Sequence, residues 1–209
     1  MLHIDMIING KAVQSSSSFD VINPATGRAF AQCATGDAAS VDQAVDAARA
    51  AFPAWSNKSI EWRGEQLLKL ASALQAHQAQ LMELVTLESG KPLGGLNGVG
   101  SGMELGGSIA WIQYTTSLAL PVDLIQDDSQ ARVEVRRKPL GVVASITPWN
   151  WPLMIAIWHT IPALYAGNTV LIKPSPFTPV ATARFVAIAN EILPPGVLNL
   201  VTGGPAVGE

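Results

Sequence analysis

The sequence holds 209 residues, 48% of them hydrophobic and 14% charged, with a net charge of −3 and a mean hydropathy of +0.27. That balance suits a globular chain with a substantial core and gives no electrostatic basis for binding nucleic acid. No apolar run reaches the ~18 residues that a membrane span needs. The single cysteine, Cys33, excludes an intramolecular disulfide and fits a reducing compartment. Met1-Leu-His-Ile-Asp-Met6 lacks the basic start and long apolar stretch of a signal peptide, so a cytoplasmic location is expected.

Residues 4–33 read as short strands and turns, with Asn9-Gly10 as a hairpin signal and Asn23-Pro24 and Thr26-Gly27 as further turns. A helix follows, capped by Asp37 or Ser40, with Val41, Val45, Ala48 and Phe52 on one face and Pro53 closing it. A second helical stretch runs from Ser59 to Gly90. Residues 93–117 carry seven glycines (94, 95, 98, 100, 102, 106 and 107) within a helical apolar pattern. Each interior glycine costs a helix about 1 kcal/mol against Ala, so this helix requires close tertiary packing and is firmer after Ser108. A phosphate-loop reading fails, because no strand precedes the glycines and the G-x-G-x-x-G spacing is never completed. Residues 120–126 and 131–138 flank Asp127-Asp128-Ser129-Gln130 as a hairpin. Arg132, Glu134 and Arg136 share one of its faces, and Val133 and Val135 the other. It is either an ordinary hairpin exposed on one face or an arm that packs on another subunit.

Residues 141–146 and 169–172 are short apolar runs bounded by Gly and Pro, as strands buried on both faces are. Between them lie Thr147-Pro-Trp-Asn-Trp-Pro152 and a helix over 153–166, with a kink at Pro162 and Gly167 as its C-cap. This is a βαβ crossover with parallel strands and a right-handed connection. A third unit follows: a helix capped by Thr178 and opened by Pro179, running to about Ile192, then a strand over Val197–Val201 and a Gly-rich turn. With parallel strands ending there, the third strand is expected to leave an open, aggregation-prone edge.

Ligands of open α/β sheets bind beyond the strands' carboxyl ends, where Asn150, Lys173 and Gly203-Gly204 all fall. The Asn150 amide offers two N–H donors that could hold a developing oxyanion, or it could bond its own loop. Lys173 suits a ribose or phosphate but equally a solvated surface. Gly203, Gly204 and Gly208 allow close backbone approach to a ligand. Cys33 has no histidine near it in sequence and reads as structural, while His3, His77 and His159 show no metal spacing. Trp151, Met154 and Trp158 could flank a substrate tunnel or belong to the core.

Taken together, Ile146-Thr-Pro-Trp-Asn-Trp-Pro152, Gly167-Asn-Thr-Val170, Lys173-Pro-Ser175, Pro194-Pro-Gly-Val-Leu-Asn199 and Gly203-Gly-Pro-Ala-Val-Gly208 resemble the aldehyde dehydrogenase superfamily. Ile22-Asn-Pro-Ala-Thr-Gly27 and Glu88-Ser-Gly-Lys-Pro92 extend the resemblance over essentially the whole chain. It implies an α/β fold: the N-terminal part of the aldehyde dehydrogenase fold, with a truncated Rossmann-like parallel βαβαβ sheet and an oligomerisation hairpin. The implied division is 1–119 for N-terminal strands and helices packing on the cofactor domain, 120–138 for the hairpin, and 139–209 for the first half of the NAD(P)-binding domain. The implied chemistry is oxidation of an aldehyde to a carboxylic acid through a cysteine thiolate, an asparagine-stabilised oxyanion, a nicotinamide hydride acceptor and a glutamate-activated water. Asn150 matches the oxyanion asparagine and Lys173 the ribose-contacting lysine. Ile146, Thr147, Pro148, Trp149, Ser175, Gly204, Pro205 and Gly208 match cofactor-cleft positions. Pro176 stands where many members carry Glu, which removes a ribose acceptor and a repeller of 2′-phosphate, so NAD or NADP is expected. The family's nucleophile and base lie downstream of the Gly-Gly-Pro turn, and Cys33 does not match the nucleophile. The chain thus reads as the N-terminal fragment of such an enzyme, inactive alone, acting on a small-molecule aldehyde in a homo-oligomer without membrane or nucleic acid. The alternative is a non-catalytic NAD(P)-binding or oligomerising module.

Overall fold

The computed structural model describes all 209 residues. Five short strands open the chain: β1 (Leu2–Ile4), β2 (Met6–Ile8), β3 (Lys11–Val13), β4 (Ser18–Asn23) and β5 (Arg28–Ala34). Asn9 and Gly10 take φ of +54° and +73°, the left-handed pair that a two-residue hairpin between β2 and β3 requires. β1, β5 and β4 form a separate three-stranded sheet.

Four helices follow: α1 (Ala38–Ser56), α2 (Ile60–Ala76), α3 (Gln78–Ser89) and α4 (Ser101–Ser117). Asp37 is the N-cap of α1 and shares a capping box with Ser40. Pro53 does not close α1, which runs three residues further to bury Trp55. The stretch expected as one helix after Ser59 is broken at His77, and Gly90 ends α3 with φ +75°. In α4 a Cβ on Gly107 would stand 3.1 Å from Met154 Sδ, so this glycine lets α4 approach its neighbour closely.

The hairpin consists of β6 (Asp123–Asp127) and β7 (Arg132–Val135), with a register shift between Leu124 and Gln126. Glu134 accepts from Arg132 Nε at 2.8 Å and Arg136 Nε at 2.7 Å, as the shared face predicts. Neither face is covered: Val133 and Val135 are exposed on one, Leu124 is exposed opposite Glu134 on the other, and Ile125 is exposed at the register shift, against the expectation of one covered face.

β8 (Val142–Ile146), α5 (Pro152–Tyr165), β9 (Thr169–Lys173), α6 (Val180–Asn190) and β10 (Leu198–Leu200) complete the chain. β8, β9 and β10 are parallel in a five-stranded sheet ordered β3-β2-β10-β9-β8. The expected open edge at the third strand is absent, because β2 pairs antiparallel with β10 and makes the sheet mixed. Asn199 supports this join: its Oδ1 accepts the Asn9 N–H at 2.9 Å. The free edges are β3 and β8. α1 packs on one face of the sheet, and α5 and α6 cover the other. β9 accordingly alternates, with Val170 and Ile172 in the larger cluster that includes Leu153, Ile157 and Phe185, and Leu171 in the smaller one with Ala44.

Buried charges sit at helix ends. The Arg63 guanidinium, nearly enclosed, donates to Tyr165 O at 2.9 Å and to the carbonyls of Ser56 and Lys58, at the C-terminal ends of α5 and α1.

Candidate active site

The rim formed by the ends of β8, β9 and β10 carries the sequence-predicted residues. Ile146 is in register with Lys173, and the Thr147 N–H donates to Lys173 O at 3.1 Å, tying the first two strand ends together. Thr147 is buried with its hydroxyl unpartnered, whereas Ile146, Pro148 and Trp149 are exposed. Asn150 is exposed, and its side-chain amide makes no hydrogen bond within the chain. The amide therefore does not bond its own loop. Its backbone carbonyl is the group that is engaged, accepting from Lys91 Nζ.

Lys173 is half-buried, and burial lowers the pKa of its ammonium. Its one hydrogen bond is to Pro174 O at 3.3 Å. Gly208 lies along its stem, where a Cβ would sit 3.4 Å from Lys173 Cδ. Ser175 is buried; its Oγ accepts the Phe177 N–H at 3.3 Å and its carbonyl the Thr178 N–H at 3.2 Å, which folds Ser175–Thr178 into a turn around the half-buried Pro176. Beyond β10, Gly203 has φ +151°, and a Cβ there would meet Val207 Cγ2 at 2.6 Å. Nothing lies within 4 Å of the Cβ position of Gly204, so its backbone is open to approach. Pro205–Val207 makes one 3₁₀ turn. The rim thus offers an uncommitted amide, a cation without a counter-charge and an accessible glycine, a set that suits a polar ligand with hydroxyl and phosphate groups.

Three residues that sequence reasoning left unassigned hold this rim up. Thr178 was expected to cap α6, but its hydroxyl has no partner. The cap is Glu88 of α3, which accepts from Val180 N at 2.7 Å and Ala181 N at 3.2 Å. Glu104 of α4, fully buried, does the same for α5, accepting from Leu153 N at 2.9 Å and Met154 N at 3.2 Å. Lys91 is 2.5 Å from Glu104 Oε2. The segment Glu88–Pro92 was visible as a motif, but neither helix N-terminus carries a local signal for a carboxylate from another helix.

Glu88 has no ion-pair partner, and desolvation pushes its carboxyl up to about 8 despite the two backbone donors that favour the anion. Cys33 is buried in β5; desolvation and then the Glu88 charge push its thiol to about 12, which leaves no nucleophilic thiolate at neutral pH. His159 Nδ1 lies 3.0 Å from Ser145 Oγ. Trp151 is half-buried under Lys91, Met154 is buried and Trp158 is exposed. A surface cavity of about 740 Å³ is lined by Ala79, Met82, Leu87, Leu93 and their neighbours on the α3 side and by none of the rim residues. No helix is long and apolar enough to cross a membrane.

The sequence model of the aldehyde dehydrogenase family matches residues 12–209. The chain is 39% identical to the phenylacetaldehyde dehydrogenase of Pseudomonas fluorescens, over 98% of this chain and 43% of that protein. It is 34% identical to a putative aldehyde dehydrogenase, FUS7, of Gibberella moniliformis, over 97% of this chain and 42% of that one. Among solved structures, a putative aldehyde dehydrogenase from Burkholderia cenocepacia superposes with a TM-score of 0.92 at 38% identity, covering 99% of this chain and 42% of that one. PnpE in complex with nicotinamide adenine dinucleotide gives 0.91 at 38% identity, covering 98% and 42%. The chain therefore spans little more than two fifths of these relatives.

Proposed function

The chain belongs to the aldehyde dehydrogenase family, and we propose that it forms the oxyanion-binding and adenosine-side part of an enzyme that oxidises a small-molecule aldehyde to a carboxylic acid with NAD⁺ or NADP⁺. The supporting observation is the rim itself: three parallel strands deliver an amide free of internal bonds, an unpaired ammonium and an open glycine turn to one edge. Asn150 donates from its amide to the carbonyl oxygen as negative charge develops there, a type of contact worth about 10²–10³ in kcat. Lys173 donates to hydroxyls of the adenosine ribose, and Ser175 shapes the turn beside it. Ile146, Thr147, Pro148 and Trp149 form the floor of the cofactor cleft, with the Gly204, Pro205 and Gly208 backbone against the phosphates. When bound, the cofactor supplies the hydride acceptor. Pro176 places no carboxylate at the ribose, so a 2′-phosphate meets no repulsion from that position. The thiol nucleophile comes from outside these 209 residues, since Cys33, their one cysteine, is enclosed and protonated.

Residues 139–209 then make up the first half of the cofactor domain, with 1–119 packed on it. The 120–138 hairpin, apolar and exposed at Leu124, Ile125, Val133 and Val135, serves as a homo-oligomerisation arm. The setting is cytoplasmic. The β2 strand on β10 favours a chain that can hold its cofactor half together, so melting of the 209-residue protein with NAD⁺ and NADP⁺ tests the cleft. A melting temperature raised by cofactor, and no longer raised in Lys173→Ala, is expected. A melt unmoved by millimolar amounts of either cofactor contradicts the assignment. The same preparation is expected to oxidise no aldehyde above a protein-free blank, and turnover would place the nucleophile within these residues after all.

A further inference from the structure

The loop that presents Asn150 is held from below by two side chains from outside the βαβ unit. Lys91, just after α3, donates through Nζ to the Asn150 carbonyl and pairs with Glu104 Oε2, and its ammonium lies 4.0 Å from the centroid of the Trp151 ring. The other oxygen of Glu104 accepts the Leu153 and Met154 N–H groups, the first turn of α5. Asn150, Trp151, Leu153 and Met154 are thus gripped by one ion pair, and α5 has no N-cap side chain of its own. The pair itself is shielded: the Lys91 side chain is 18% exposed and that of Glu104 0%. Two anchors act just C-terminal to the Asn150 side chain, a bond at its own carbonyl and a fixed helix start three residues on. The amide itself is left free.

We propose that Lys91 and Glu104 are positioning residues for the Asn150 amide, fixing its height and direction at the rim while touching neither substrate nor cofactor. A charge-assisted bond to a carbonyl combined with a cation over an aromatic ring resists both translation of the loop and rotation of Trp151. Catalytic amides tolerate little displacement, and a shift of about 1 Å costs on the order of 10² in rate. The catalytic consequence rests on the oxyanion role proposed for Asn150; the mechanical one does not.

Hydrogen exchange of the 209-residue chain separates the two. Lys91→Met is expected to speed exchange at residues 150–154 by about tenfold or more while α2 and the β9–β10 pairing keep their protection. Unchanged exchange at 150–154, or an equal rise everywhere, would overturn the positioning role. Should Lys91→Met not fold, Lys91→Gln and Glu104→Gln carry the same test. In the enzyme proposed above, Lys91→Met should lower kcat by about 10–10²-fold with KM for the cofactor unchanged. In an Asn150→Ala background the same substitution should lower kcat by no more than about twofold, because residues that act through one another are not additive. Equal losses in both backgrounds would show that Lys91 acts by general destabilisation, not through Asn150. A wild-type kcat in Asn150→Ala alone would remove the oxyanion role and leave the exchange result to judge the clamp.

Discussion

The N-termini of α5 and α6 are built alike and electrostatically opposed. Each is capped by a buried glutamate reaching in from another helix, Glu104 for α5 and Glu88 for α6, and each glutamate takes two consecutive backbone N–H groups. Glu104 has a lysine against it; Glu88 has no ion pair, and its carboxyl is pushed up to about 8. The paired cap stands under the Asn150 loop. The unpaired one stands beside the Pro176 turn and adds to the upward push that desolvation gives the Cys33 thiol. A cation has been added where a loop must be held in one place and omitted where a helix start only has to be satisfied. Burying a charge with its partner adds little net stability but fixes geometry, and removing one partner is costly.

The largest expected effect follows from that asymmetry. Glu104→Ala strips α5 of its cap and leaves Lys91 without its counter-charge, and urea unfolding should report a loss of about 3–5 kcal/mol. Glu88→Ala removes two hydrogen bonds but strands no cation, and the same titration should give about 1–3 kcal/mol. Equal losses would erase the distinction between the caps.

Next in size is a pH dependence. The ordinary carboxyl releases its proton near 4.5 and Glu88 in the native chain near 8. Between these values the native state keeps a proton that the unfolded state has lost, so stability is full below about pH 4.5 and falls as pH rises towards 8. Melting at pH 5, 6.5 and 8 should show the decline, and Glu88→Gln should flatten it. The smallest effect belongs to an exposed cap. Asp37 at the start of α1 is held below the usual carboxylate range by its bonds to the Ser40 N–H and hydroxyl. Its contribution is present above pH ~4 and lost as pH falls below, the opposite slope to Glu88, and Asp37→Asn should shallow only that acid limb.

How far the sequence foretells this arrangement depends on whether the determinant is local. The βαβ unit was legible because Gly and Pro punctuate short β-branched runs, with Pro152 at the first helical position as expected, but only β9 is buried on both faces: β8 is a free edge with Ala144 and Ile146 exposed. The rim residues followed from it, since strand ends are fixed once strand and helix alternate. The β2–β3 hairpin was also readable from Asn9-Gly10, but its place beside β10 was not. That pairing joins Ile7 to Leu200, across nearly the whole chain, and was mistaken for an open edge. The caps were invisible for the same reason. Glu88 reaches a helix start 92 residues away and Glu104 one 49 away, while the hydroxyl of the local candidate, Thr178, bonds nothing. Pro53 misled through a local rule, because the burial of Trp55 carries α1 past it. The glycines of 93–117 divide: Gly94, Gly95, Gly98 and Gly100 precede α4, which starts only at Ser101, and within it Gly107 packs closely on Met154 as their cost requires while Gly106 meets nothing.

The most direct test of the account is the kcat for aldehyde oxidation of the Asn150→Ala enzyme, measured at saturating cofactor against the wild type. A fall of about 10²–10³ with cofactor affinity unchanged is predicted, as for the loss of one oxyanion donor. A kcat within about twofold of the wild type would mean that the free amide at the end of β8 holds no developing charge, and would contradict it.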